Sequence, residues 1–272
     1  MMDGELLYKN TYRFSDYGPM GQVYVYLLIG KERAVLIDSG YGGKRWDKLI
    51  AEYTDKPVTV LITHAHIDHA LGARFFEDAY FHETDEEIWY ESNDKSFLAQ
   101  NFANFTLPKL DEEEEKFLLP PQTVVEADRK MPKFFADKKA FNFGEREVEI
   151  VHTPGHSQGC CCFLDEEAGT CFTGDTLSKY VWLQLHESTT LSVFEQSLRL
   201  LKDQFIKKKI TTIYPAHGEK MPALETVEKY FALIEEIRQG KTLQKPLHHP
   251  IVPGVRHIGD GVSLILNEIP RL

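Results

Sequence analysis

The alternation of apolar and polar positions changes period several times along the chain. "QVYVYLLIG" (22–30) and "AVLIDSG" (34–40) are short runs rich in β-branched and aromatic residues, parted by the turn-like "GKER", and predict strands. A brief amphipathic helix is predicted near Arg45 to Tyr53, followed by a third strand in "PVTVLIT" (57–63). Between 83 and 133 the pattern changes. "ETDEEIWYESNDKSFLAQNFANF" spaces its apolar residues by threes and fours, as a helix does, and "LDEEEEKFLLPP" reads as a solvated acidic helix face stopped by Pro120 and Pro121. Strand patterns return in "FNFGEREVEIVHT", "CCCFLD" and "TCFTGD", with a turn at "EEAG". The helical patterns "SVFEQSLRLLKDQF" and "ALETVEKYFALIEEIRQG" flank one more strand, "ITTIYPAHG", and "VSLILNE" is a closing strand.

Strands and helices thus recur in both halves, and each half sends a strand directly into a histidine loop, "TVLITHAH" and "TTIYPAHG". No close repeat accompanies this symmetry. The expected layout is a single α/β (α+β) domain over 1–272, with two sheets face to face, helices outside and loops meeting at one edge. The helical stretch at 83–133 is expected to be an insertion serving as a lid, a homodimer contact or both.

Composition narrows the class. In 272 residues, 42% are hydrophobic and 27% charged, as in a folded globular enzyme rather than a disordered chain. A formal charge of −11 argues against nucleic acid or an anionic membrane as partner, while leaving room for a local basic pocket. The N-terminus shows no signal-peptide pattern and no apolar run approaches the roughly 20 residues of a membrane span, so the expected location is cytoplasmic. Cys160, Cys161, Cys162 and Cys171 offer neither a disulfide framework nor a CxxC metal spacing, and are expected to be buried thiols.

The chemistry concentrates in "ITHAHIDHALG" (62–72). Imidazole nitrogen and carboxylate oxygen bind borderline metals at about 2.0–2.2 Å, and one tight loop can present several together. With 11 histidines in the chain, His-x-His-x-Asp-His would arise by chance in roughly one such chain in a thousand. Three later positions add the same chemistry after strand-like runs or in Gly/Pro loops: His156 in "HTPGHSQG", Asp175 in "CFTGDT" and His217 in "IYPAHG". His82, His248, His249 and His257 have no such setting and are expected to be structural or exposed, and His152, four residues before His156, is expected to be a strand residue or to support the ligands from behind.

His64, His66, Asp68 and His69, followed by His156, Asp175 and His217, resemble in type and order the motifs of the metallo-β-lactamase-fold hydrolases. Asp38 in "VLIDSG" matches the aspartate ending an early strand there. The resemblance implies a four-layer αβ/βα sandwich and two divalent metal ions, most simply Zn, with Mn or Fe as alternatives. It implies that His64, His66 and His156 hold one ion, that Asp68, His69 and His217 hold the other, and that Asp175 bridges them. Asp38 would orient the ligand loop from behind. A metal-bridging hydroxide would be the nucleophile, with Asp68 or a metal-bound water passing a proton to the leaving group.

The superfamily hosts many reactions, so departures from its subgroups matter. "LSKYVW" stands where a hydroxyacylglutathione hydrolase carries a Gly-Cys-Gly-Arg segment, so that identity is disfavoured. His66 stands where the flavodiiron oxidoreductases have glutamate, and no flavodoxin-like pattern follows. Nucleic-acid-processing relatives bring basic surfaces, and β-lactamases bring secretion signals. The reading that remains is hydrolysis of a small-molecule ester, thioester or lactone. A phosphodiesterase on a small phosphorylated metabolite is the second reading, and a non-catalytic binding protein or redox member the third. Tyr180, Trp182 and His186, just beyond Asp175, are candidates for the substrate wall or an oxyanion donor.

Overall fold

A strand buried on both faces reads as an unbroken apolar run, and Ala34–Ile37 is one: all four residues of "AVLI" are buried. In the computed structural model, which describes residues 4–107, 115–136, 138–247 and 253–267, the chain divides into two compact units, Met1–Glu147 and Val148–Leu272.

The first unit is built on a 7-stranded sheet whose strands are hydrogen-bonded in chain order: β1 (Glu5–Tyr8), β2 (Thr11–Gly18), β3 (Gly21–Ile29), β4 (Ala34–Ile37), β5 (Val58–Leu61), β6 (Ala79–Phe81) and β7 (Lys133–Phe134). Pairing is antiparallel from β1 to β4 and parallel from β4 to β7. Parallel neighbours need crossovers. These carry α1 (Trp46–Ala51), α2 (Ile67–Ala70) with a 3₁₀ turn at Leu71–Phe75, and then a 3₁₀ turn at Glu83–Asp85 with α3 (Glu86–Ser92), α4 (Lys95–Phe102) and α5 (Pro121–Glu126). Strand β8 (Ala140–Asn142) closes the unit. Phe14, Val25, Leu36, Trp46, Ile50, Val60 and Phe81 are among the buried side chains of its core.

The helical reading of 83–105 holds, but as three pieces rather than one. The break falls at Asn93–Asp94, where the Asp94 carboxylate accepts from the Phe97 amide at 2.8 Å and caps α4. Of the acidic stretch, residues 108–114 lie outside the described residues. Pro121 opens α5 rather than stopping a helix, since a proline in the first turn lacks only an amide that would be unpaired anyway.

The second unit contains β9 (Glu147–His152), β10 (Cys161–Asp165), β11 (Thr170–Gly174), β12 (Tyr180–Trp182), α6 (Leu191–Lys207), β13 (Thr212–Pro215), β14 (Met221–Pro222), α7 (Ala223–Arg238), β15 (Leu243–Leu247), β16 (Gly254–Ile258) and β17 (Ser263–Leu266). One sheet runs β14-β13-β11-β10-β9 and another β12-β17-β16-β15. Helix α6 is the crossover between parallel β11 and β13, and it buries Phe194, Leu198, Leu201 and Phe205 along one stripe. Helix α7 adds Val227, Tyr230, Leu233 and Ile237 to the same core, and Gly240 follows its end at φ +66°, a conformation glycine adopts without penalty. The Tyr230 hydroxyl is buried and donates to the Ser178 carbonyl at 2.8 Å. All four cysteines are buried free thiols, as expected. Among the described residues no helix is long and apolar enough to cross a membrane.

Candidate functional site

Strand β5 delivers the chain into the His64–His69 loop. Thr63, at the strand's end, donates its amide to Asp38 Oδ1 at 2.7 Å and its hydroxyl to Oδ2 at 2.9 Å. The second oxygen also receives His69 Nδ1 at 2.9 Å. Asp38 itself follows β4 at φ +60°, a left-handed conformation that aspartate tolerates better than most residues, and it is buried. One carboxylate therefore fixes the strand end and the ring orientation of His69 together.

The loop is held from two further sides. The Asp85 carboxylate, fully buried, accepts the Ala65 amide at 3.1 Å, between His64 and His66. Ser39 donates its amide and its hydroxyl to the His69 carbonyl, at 2.7 and 2.9 Å. This contact requires Gly72, because a Cβ there would lie 2.0 Å from the Ser39 carbonyl oxygen.

So held, the loop brings together four of the expected ligands. His64 Nε2 lies 2.9 Å from His66 Nδ1, and His69 Nε2 lies 3.5 Å from Asp68 Oδ2. The rings of His64 and His69 are 3.9 Å apart at their centroids. Two ligands at about 2.1 Å from one ion, at a tetrahedral angle, stand roughly 3.4 Å apart. The His69–Asp68 pair meets that spacing; His64 and His66 are closer and would open by roughly half an ångström around an ion.

The second unit assembles its own three. His156 follows β9 in a loop tied down by the Ser188 hydroxyl on the His156 carbonyl at 2.8 Å and by the Ser197 hydroxyl on the Pro154 carbonyl at 2.7 Å. Its Nδ1 is 2.8 Å from the Trp182 carbonyl oxygen. A carbonyl only accepts, so Nδ1 carries the proton and, in the neutral ring, Nε2 carries the lone pair. That Nε2 faces Asp175 Oδ2 at 3.6 Å, while Asp175 Oδ1 faces His217 Nε2 at 3.7 Å. Each oxygen of one carboxylate thus addresses a different histidine. An imidazole lone pair pointing at a carboxylate oxygen is repulsive unless a proton or a cation stands between them, so these donors fit a metal ion. His156 and Asp175 are largely buried; His217 keeps 31% of its side chain exposed.

The other candidates lie nearby in sequence and differ in setting. Trp182, half-buried in β12, contributes the carbonyl that orients His156. Tyr180 is 43% exposed, with the Arg256 guanidinium 4.4 Å above its ring and Lys179 Nζ at 5.5 Å. His186 is exposed and pairs with Glu187 at 2.9 Å. His82 accepts from the Thr84 amide, His152 bonds the Gln158 carbonyl and His257 is buried against Thr242, all structural settings; His248 and His249 lie outside the described residues. Asp85 and Ser188 are among the positioning residues that the sequence did not reveal. Asp85 sits in an acidic helical pattern like any solvated carboxylate, and Ser188 carries no local signal at all.

The family model described as "Metallo-beta-lactamase superfamily" matches residues 18–217, which include every residue from Asp38 to His217 discussed above. Among curated proteins, the chain is 28% identical over 160 residues to "Probable metallo-hydrolase YqgX" of Bacillus subtilis (strain 168), covering 59% of this chain and 68% of that one. It is 24% identical over 201 residues to "Acyl-coenzyme A thioesterase MBLAC2" of Gallus gallus, covering 68% of this chain and 70% of that one. Among solved structures, "Metallo-beta-lactamase from Pontibacter korlensis" aligns with a TM-score of 0.59 at 16% identity, over 86% of this chain and 99% of that one, a likeness of fold.

Proposed function

This chain belongs to the metallo-beta-lactamase superfamily, and from that premise we propose that it is a dinuclear metal-dependent hydrolase of a small-molecule ester, thioester or lactone, with a thioester the first choice. One observation carries the dinuclear reading: the two oxygens of Asp175 face two different histidines, His156 at 3.6 Å and His217 at 3.7 Å, as a bridging carboxylate would. The ligand order of the family supports assigning His64, His66 and His156 to one ion and Asp68, His69 and His217 to the other. Imidazole and carboxylate donors suit Zn²⁺ first, with Mn or Fe as substitutes set by supply. The preference for a thioester comes from the acyl-coenzyme A thioesterase among the relatives.

When bound, two such ions bring the pKa of water near neutrality and polarise the carbonyl under attack. The chain's residues supply the rest. Asp38 holds the Nδ1 proton of His69, and the Trp182 carbonyl holds that of His156, so both rings keep Nε2 free of a proton for coordination. In hydrolysis a C–O bond forms to the carbonyl carbon, the C–S or C–O bond to the leaving group breaks, and one proton of water must reach that group. Asp68, buried beside His69 at 3.5 Å, is assigned to carry it. Tyr180 and Trp182, with His186 further along the segment, are assigned to the substrate wall.

The test is a chromogenic panel of an aryl ester, a thioester, a lactone and a bis-aryl phosphate, run on metal-loaded protein. Turnover of the carbonyl substrates in preference to the phosphodiester is the expected result. Preference for the phosphodiester would move the function to phosphoryl chemistry. Asp175→Ala should lower both metal content and turnover; full retention of both would refute the bridging role.

A further inference from the structure

The second unit leaves one face of a sheet open beside its histidines. Strand β12 is the edge of the sheet β12-β17-β16-β15. The Leu183 amide points inward to the Ile265 carbonyl at 2.8 Å, so in a trans peptide the Trp182 carbonyl points off the free edge, where it meets His156. Side chains alternate between the faces of such a sheet. Val181 and Leu264 turn to the core shared with α7, which leaves Tyr180, Trp182 and their partners in register on the other face.

Register decides what that face carries. Trp182, Ile265, Arg256 and Lys245 are paired in one row across the four strands, so their side chains share it. Tyr180 lies two residues before Trp182, about 7 Å along the strand. The Arg256 guanidinium stands 4.4 Å from the centre of the Tyr180 ring, and Lys179 Nζ stands 5.5 Å from it. Cations from β16, from β15 and from the residue before β12 thus gather on one face of a chain whose net charge is −11.

Their charge is not met within the unit. Among the described residues no carboxylate pairs with Arg256, Lys179 or Lys245, and Arg256 Nε is buried without a hydrogen-bond partner. Asp260, in the turn between β16 and β17, is exposed and faces Lys229 at 3.9 Å. The field of the cations shows in the phenol beside them: burial alone would raise the pKa of Tyr180, and Arg256 and Lys179 together hold it below the ordinary value. A phenol positions a guanidinium but does not neutralise it.

We propose that Arg256 and Lys179 are specificity-determining residues, binding an anionic group of the substrate remote from its reacting carbonyl. On the thioester hydrolysis proposed above, charge at the far end of the substrate becomes the feature selected. The group is remote because Tyr180 and its cations are set off from His156 by a strand step of about 7 Å beyond the Trp182 carbonyl. A guanidinium takes the paired oxygens of a carboxylate or phosphate through parallel bonds, and a lysine adds a point charge beside it. The Tyr180 and Trp182 side chains, on the same face, offer aromatic surface to the part of the substrate that links the anion to the carbonyl.

Two matched pairs test this. S-acetyl-phosphopantetheine against S-acetyl-pantetheine places the anion on the thiol half, and mono-S-sebacoyl- against S-decanoyl-N-acetylcysteamine places it on the acyl half. Each is used as the thioester for turnover by the metal-loaded full chain, and as the corresponding thioether, which is not hydrolysed, for calorimetric titration. The anionic member of one pair should bind about tenfold or more tightly than its neutral match, in the thioether titration and in KM, with the advantage shrinking as salt is raised. Which pair responds identifies the half that carries the anion. Arg256→Gln/Lys179→Gln should abolish the advantage; if that variant fails to fold, Lys179→Glu, a change at an exposed residue, should reduce it in a folded protein. No advantage in either pair, or an advantage that survives in the folded variants, would overturn the anion site. Selective binding of a thioether with turnover of none of the thioesters would instead overturn thioester hydrolysis and leave the anion site standing.

Discussion

Asp38 shows how much can rest on one carboxylate. It is buried, left-handed in its backbone, and accepts from Thr63 twice and from His69 once. Asp38→Asn keeps the volume but puts an amide donor where His69 needs an acceptor, or turns the amide and breaks the bond from the Thr63 backbone amide. We expect metal affinity to fall by about 10- to 100-fold, read by competition with a chromophoric chelator; unchanged affinity would remove Asp38 from the site's support. Tyr180 gives a second residue-scale prediction. Burial alone raises its phenol pKa, but hydrogen bonding from Arg256 and the charges of Lys179 and Arg256 outweigh that, leaving it below the ordinary value. Cations favour the phenolate, so Arg256→Gln should move its ionisation to higher pH. The phenolate absorbance lost in Tyr180→Phe identifies the relevant transition.

At the scale of elements, what holds the ligand loop is close backbone approach. Gly72→Ala would drive a methyl group into the Ser39 carbonyl and against Trp46, and should destabilise the protein by about 1–3 kcal/mol in denaturant unfolding. In the second unit, Leu198→Ala on α6 removes a fully buried side chain and should cost about 2–5 kcal/mol. The elements most legible in the sequence were those with strong periodicity, such as α6, α7 and the runs of β3, β4 and β5. The β1–β2 hairpin was not legible: its two-residue turn uses Lys9 and Asn10 at φ 20° and 54°, without the glycine that usually signals such a turn. The β15–β16 pair was missed because Pro246 lies inside a strand whose residues are almost all exposed, so neither propensity nor alternation marks it.

For the whole molecule, local spacing and long-range convergence differ in what they reveal. His64, His66, Asp68 and His69 stand out because six residues carry four candidate ligands, whereas Asp85 and Ser188, which hold the ligand loops, are far from them in sequence and share no such window. Metal should also act on the molecule as a whole. Ions that bind only the folded chain stabilise it by mass action, so chelation should lower the melting temperature and readdition should restore it. The most direct test of the central claim is elemental analysis of the reconstituted protein after dialysis. Close to two equivalents of Zn²⁺, Mn²⁺ or Fe per chain is the result expected of a dinuclear hydrolase; less than one equivalent after reconstitution would contradict it.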